Sequence, residues 1–143
     1  MFKNINFQFL ISYLGLIPYV LTFLDKYYFL IVEEEDLINF VTYYSLIIIV
    51  FIGSINWNLK NNPPTHIVIY GFLPSLFAVI IIILSLLNIN ILIIFILIIL
   101  LLLTQLFFDY IILFANETNK QAFYYLRLPL TILIILFLLL ISL

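Results

Sequence analysis

Unbroken apolar runs, longer than any soluble core element requires, constrain this chain most. Ile67–Leu87 and Ile91–Phe108 are the clearest, and no charge interrupts either. A helix that crosses about 30 Å of hydrocarbon needs about 20 mostly apolar residues. Hydrophobic residues make up 67% of the 143 positions and charged residues only 8%, so spans and short turns account for the whole chain. No length remains for a soluble domain, and residues 1–143 are expected to form a single membrane domain. A β-barrel would alternate apolar and polar residues, because one face of each strand lines a lumen. The continuous runs here predict an all-α fold, an integral membrane bundle of five transmembrane helices.

The expected spans are roughly residues 5–24, 37–56, 66–87, 91–114 and 123–143. Gly15 and Pro18 lie inside the first, which membrane helices tolerate. Asp25 and Lys26 close it, and Tyr27, Tyr28 and Phe29 form an aromatic belt at the membrane boundary. The run Glu33–Asp36 is expected as a loop in water. Lys60 and the pair Pro63–Pro64 mark a second loop, Asn58–Thr65, since proline removes backbone donors and blocks helix. Asn88–Asn90 must turn. Otherwise the third and fourth spans fuse into about 49 residues, which at about 1.5 Å each would far exceed a bilayer's thickness. Asn116–Gln121 is the last loop.

Alternating spans sort the basic residues. Lys3, Lys60, Lys120 and Arg127 fall on one side, with Glu117 and His66. Lys26 falls on the other, with Asp25 and the acidic run. Basic residues favour the cytoplasmic or matrix side. The N-terminus is therefore expected in the matrix or cytoplasm and the C-terminus outside. The first segment has one lysine before it and no small-residue cleavage site, so it is expected to remain as a span.

Composition narrows function more than it assigns it. The absence of cysteine excludes disulfides, iron–sulfur ligation and thiol chemistry. A net charge of −2 argues against nucleic acid. One histidine, His66, is too few for a bis-histidine haem, and no metal site has enough ligands. No nucleophile–base pair or phosphate loop is visible, so no enzyme activity, catalytic residue, metal or cofactor is expected. The chain holds 3 Ala and 3 Gly but abundant Ile, Phe, Tyr and Asn. That pattern follows AT-rich codons and points to an organelle-encoded protein of the mitochondrial inner membrane, with a bacterial inner membrane as the alternative.

Asp109 is the acid that falls within a span. Ionised carboxylates in hydrocarbon are costly and face a partner or water. Arg127 lies at similar depth across the short Asn116–Gln121 connection, so a structural Asp109–Arg127 ion pair is expected. A proton or ion relay is the alternative. A carboxylate matched to an arginine suits that role poorly, because the cation favours its charged form. Gly53, Asn56 and Trp57 share one helix face, and Gly71, Ser75 and Ala78 form a small-residue seam with Pro74 as a kink. Both read as packing surfaces. Trp57, Lys60, Lys120 and Arg127 are candidate contacts for lipid head groups, so cardiolipin or another anionic lipid is the one bound group to consider.

Several short motifs resemble a known family. Gly15-Leu16-Ile17-Pro18-Tyr19 is similar to its Gly-Leu-Ile-Pro-Phe. Tyr44 with Phe51-Ile52-Gly53-Ser54-Ile55-Asn56-Trp57 resembles its Tyr…Phe-Leu-Gly-Gly-x-His/Arg-Trp. Leu73-Pro74-Ser75-Leu76, the lone Asp109, and Leu126-Arg127 with Leu130-Thr131 follow in the same order. The resemblance is to the transmembrane protein 69 family, small five-span proteins of mitochondria and proteobacteria. It implies a five-span fold, a mitochondrial compartment and an Asp109–Arg127 partnership. Ser54, Asn56 and Asn58 depart from its pattern, as does Phe123-Tyr124-Tyr125, where the family carries Trp-Tyr. With so little mass outside the membrane, the chain is expected to act as a non-enzymatic accessory subunit of a larger inner-membrane complex. A respiratory-chain complex or ATP synthase is the expected host, and other membrane subunits and lipids are the expected partners. An assembly factor or a small solute transporter is the alternative.

Overall fold

A computed structural model describes residues 10–54, 64–113, 120 and 123–143. Among them the chain is helical, with no strand. Residues 10–14 are helical and lead into α1 (Ile17–Leu24), which ends in a π-helical turn, Asp25–Phe29. Then follow α2 (Glu34–Ser54), α3 (Thr65–Leu86), α4 (Ile91–Leu113), a second π-helical turn, Phe123–Arg127, and α5 (Leu128–Ser142). Among the described residues, four helical segments are long and apolar enough to cross a membrane: Glu34–Ser54, Thr65–Leu86, Ile91–Ile111 and Phe123–Ser142. This is a helical membrane protein.

The first expected span is not one helix. A turn at Gly15–Leu16 interrupts it, and Pro18 sits in the first turn of α1. Proline has no N–H for the turn before it but suits a helix start. The Thr22 hydroxyl donates to the Pro18 carbonyl oxygen at 2.8 Å. The acidic run also differs from expectation. Helix begins at Glu34, so Glu34, Glu35 and Asp36 form its exposed first turn rather than a loop. Acids there meet the positive end of the helix dipole, which favours helix over coil.

The Asn88–Asn90 turn has well-defined chemistry. Asn88 adopts a left-handed φ of 56°, a conformation asparagine tolerates. The N–H of Asn88 bonds to Ser85 O and that of Ile89 to Leu84 O, which is a complete Schellman ending. Asn90 then caps α4, its side-chain oxygen accepting from the Leu92 N–H at 2.9 Å.

The chain clusters into two compact units, residues 1–41 with 103–143, and residues 42–102. In the first, residues 10–29 run parallel to α5. The Tyr13 hydroxyl donates to the Tyr125 carbonyl at 2.9 Å. Tyr19 stacks on Phe137, Phe23 meets the same ring edge-on, and Lys26 reaches the Ile141 carbonyl. In the second, the buried face of α3 carries Tyr70, Gly71, Pro74, Ala78 and Ile81. Gly53 of α2 lies against it. A Cβ added to Gly53 would stand 2.7 Å from Pro74 Cγ and 3.0 Å from the Gly71 carbonyl oxygen. Gly53 and the Gly71–Pro74 stretch thus form one close helix crossing, while Asn56 and Trp57 lie outside the described residues. α3 continues through Pro74 without a break.

Candidate functional site: a buried charge pair and its surroundings

α4 is apolar on nearly every side, yet its buried face carries Gln105 and Asp109, one turn apart. Polar side chains turn inward here because the outward faces meet hydrocarbon, where an unpaired polar group is costly. The second π-helical turn delivers Arg127 to the same place. Its Nε donates to Asp109 Oδ2 in a direct ion pair. The Asp109 side chain is 5% exposed and that of Arg127 16%. Tyr110 and Phe123 meet edge-to-face beside the pair, with ring centroids 5.4 Å apart.

These contacts set an antiparallel register between the end of α4 and the start of α5. One turn deeper on each helix stand Gln105 and Thr131, both buried. The Arg127 Nη2 and Thr131 Oγ1 atoms are buried and have no hydrogen-bond partner among the described residues. The site is therefore a small polar island, formally neutral, one to two turns from the end of α4. On its flank an open apolar groove runs between Leu103, Phe107 and Tyr110 of α4 and Phe123, Tyr124 and Leu128.

A second polar knot lies at the other end of α5. Lys26 Nζ donates to the Ile141 carbonyl at 2.7 Å and pairs with Glu34 at 2.9 Å. The Tyr27 hydroxyl donates to the Leu140 carbonyl at 2.7 Å. Both satisfy carbonyls that the last turn of a helix leaves without intrahelical partners, and the ammonium meets the negative end of the dipole.

Of the four residues singled out for lipid head groups, Trp57 and Lys60 lie outside the described residues, as does Asn56. Lys120 is half-buried, and Arg127 is engaged with Asp109. His66 is exposed in the first turn of α3. No group of three or more potential metal ligands occurs among the described residues. Sequence reasoning passed over Gln105 and the knot made by Lys26 and Tyr27. The spacing was visible, since Gln105 precedes Asp109 by four residues and Thr131 follows Arg127 by four.

A family model described as "Protein of unknown function (DUF3429)" matches residues 6–143. The chain belongs to this family. No curated protein and no solved structure matches it. The DUF3429 match runs across both compact units and includes Gln105, Asp109, Arg127 and Thr131, so the polar island lies within the family's domain.

Proposed function

We propose that this DUF3429 protein is a non-enzymatic accessory subunit of a larger inner-membrane complex, a mitochondrial respiratory-chain complex or ATP synthase. The observation that carries the reading is where the polar chemistry points. Asp109 and Arg127 face each other inside the protein. α4 meanwhile presents an outward stripe of Leu92, Ile93, Ile96, Leu100, Leu103 and Phe107 over most of its length. A transporter needs polar groups that meet a path. A subunit needs long apolar faces that pack, because association in lipid relies on shape-matched contact.

The mitochondrial assignment is supported by the Ile-rich, Ala- and Arg-poor composition and by the resemblance to the transmembrane protein 69 family. In the same reading the first helical segment crosses the membrane as a fifth span. Its support is the parallel alignment with α5, from the Tyr13–Tyr125 contact to the Lys26–Ile141 contact. Four of the five basic residues then lie on the matrix or cytoplasmic side with the N-terminus. Cysteines introduced as Glu34→Cys and Asn62→Cys should label from opposite sides; labelling of both from one side would refute five spans.

The functional test is turnover per assembled complex, measured with and without this protein after gentle detergent extraction. Fixed stoichiometry in the purified complex and unchanged chemistry per intact enzyme are expected, with fewer or less stable complexes when the protein is lost. Its presence only on incomplete assemblies would make it an assembly factor. Solute flux through the reconstituted protein alone would replace the proposal with transport.

A further inference from the structure

Between Lys26 and Glu33 the chain places six apolar or aromatic residues, Tyr27–Val32, flanked by charge on both sides. Tyr28 to Val32 are all exposed, from 46% at Val32 to 80% at Ile31. The turn is nonetheless tightly built. The Asp25 carboxylate is buried and accepts from the Ile31 N–H at 3.3 Å and the Val32 N–H at 3.0 Å. Its main-chain carbonyl accepts from the Leu30 N–H at 2.8 Å. Leu30 holds a left-handed φ of 52°, a region leucine seldom enters. The base of the turn is tied by Lys26 and Tyr27 to the last carbonyls of α5. The apolar tip is therefore displayed in one shape at the end of a membrane-length helix.

We propose that Tyr28–Val32 is a preformed membrane-interface wedge. Its apolar tip sits in the lipid head-group boundary, and Asp25 is the positioning residue that holds its shape. Three features select a lipid surface as the occupant. The base of the tip is bonded to Leu140 and Ile141, at the end of a helical segment long and apolar enough to cross a membrane. Tyr27, Tyr28 and Phe29 are residue types that favour that boundary. The exposed carboxylates of Glu33, Glu34, Glu35 and Asp36 follow at once, so the tip needs an apolar surface directly beside groups that need water. A bilayer boundary satisfies both. The inference holds whether or not the protein serves as a subunit.

The test uses the full chain reconstituted in phosphatidylcholine vesicles. In a Trp57→Phe background, Phe29→Trp supplies a single indole at the tip. Emission should be blue-shifted and quenched by lipids brominated about 5–10 Å below the surface, the depth of interfacial segments. Aqueous iodide should quench it weakly. Water-like emission with strong iodide quenching would overturn the proposal. So would an indole shielded from both quenchers, because protein would then cover the tip. A nitroxide attached through Ile31→Cys gives an independent reading should the tryptophan variant not fold. Collisions with dissolved oxygen should exceed those with a water-soluble nickel complex, and the reverse order would refute the wedge. Adding Asp25→Ala should lose the lipid quenching and shift the signal toward water. Unchanged quenching would remove Asp25 from the role.

Discussion

Where α2 meets α3, a glycine backbone rests against a proline ring and a glycine carbonyl, leaving no room for a methyl group at Gly53. Where the first helical segment and the end of α4 meet α5, aromatic rings pack along the middle and polar ties close both ends. Arg127 holds Asp109 at one end of α5, and Lys26 and Tyr27 hold the carbonyls of Ile141 and Leu140 at the other. Lipid tails are as apolar as leucine, so burial alone does not join helices in a membrane. One compact unit shows the remedy of close approach, and the other shows the remedy of interior polarity. The two should fail differently. Loss of shape should loosen a crossing by degrees, while loss of one member of a buried pair should leave an orphan charge.

The largest effect is expected at the charge pair. Arg127→Met or Asp109→Leu alone should cost about 3–5 kcal/mol, because the remaining charge is buried without its partner. Unfolding in mixed micelles would show it, and a loss no larger than that of a surface substitution would break the contrast. At the opposite end of α5, Lys26→Met should cost about 1.5–3 kcal/mol, the range for a hydrogen bond to a charged group. It should also speed hydrogen exchange near the end of α5. In the shape-held unit, Gly53→Ala should cost about 1–3 kcal/mol by overpacking against Pro74. A Pro74→Ala change made together with it should recover part of that loss, which thermal unfolding in lipid would reveal; additive losses would show that the crossing does not depend on this contact. The smallest effect concerns the turn between α3 and α4. Asn88→Val should cost about 1–2 kcal/mol, because a β-branched residue resists the left-handed conformation. Asn88→Gly should be close to neutral in the same assay.

The helical segments were legible because their ends are chemically abrupt. Pro63–Pro64 precede α3, and Asn88 and Asn90 carry the turn chemistry between α3 and α4. The apolar pattern points to Leu37 for the start of α2 and the structure begins it at Glu34, since an acidic run reads as loop unless the pull of a helix N-terminus is counted. The break at Gly15–Leu16 was obscured by the tolerance of membrane helices for glycine and proline. Asp109 and Arg127 could be matched from depth alone, across one short connection. The burial of Gln105 is readable only through Asp109, four residues on. α4 is apolar around most of its circumference, so periodicity identifies no inner face, and which side turns inward depends on neighbours distant in sequence. The same holds for Lys26 and Tyr27, whose acceptors lie more than a hundred residues away.

The most direct measurement is a double-mutant cycle on Asp109 and Arg127, read both as stability in lipid and as yield of the assembled native particle. A structural pair predicts strong coupling, with Asp109→Leu/Arg127→Met more stable than either single variant and still incorporated into its complex. Losses that simply add would contradict it. So would a double variant that folds and assembles normally but abolishes the activity of the particle, because the two charges would then be acting in chemistry rather than holding α4 to α5.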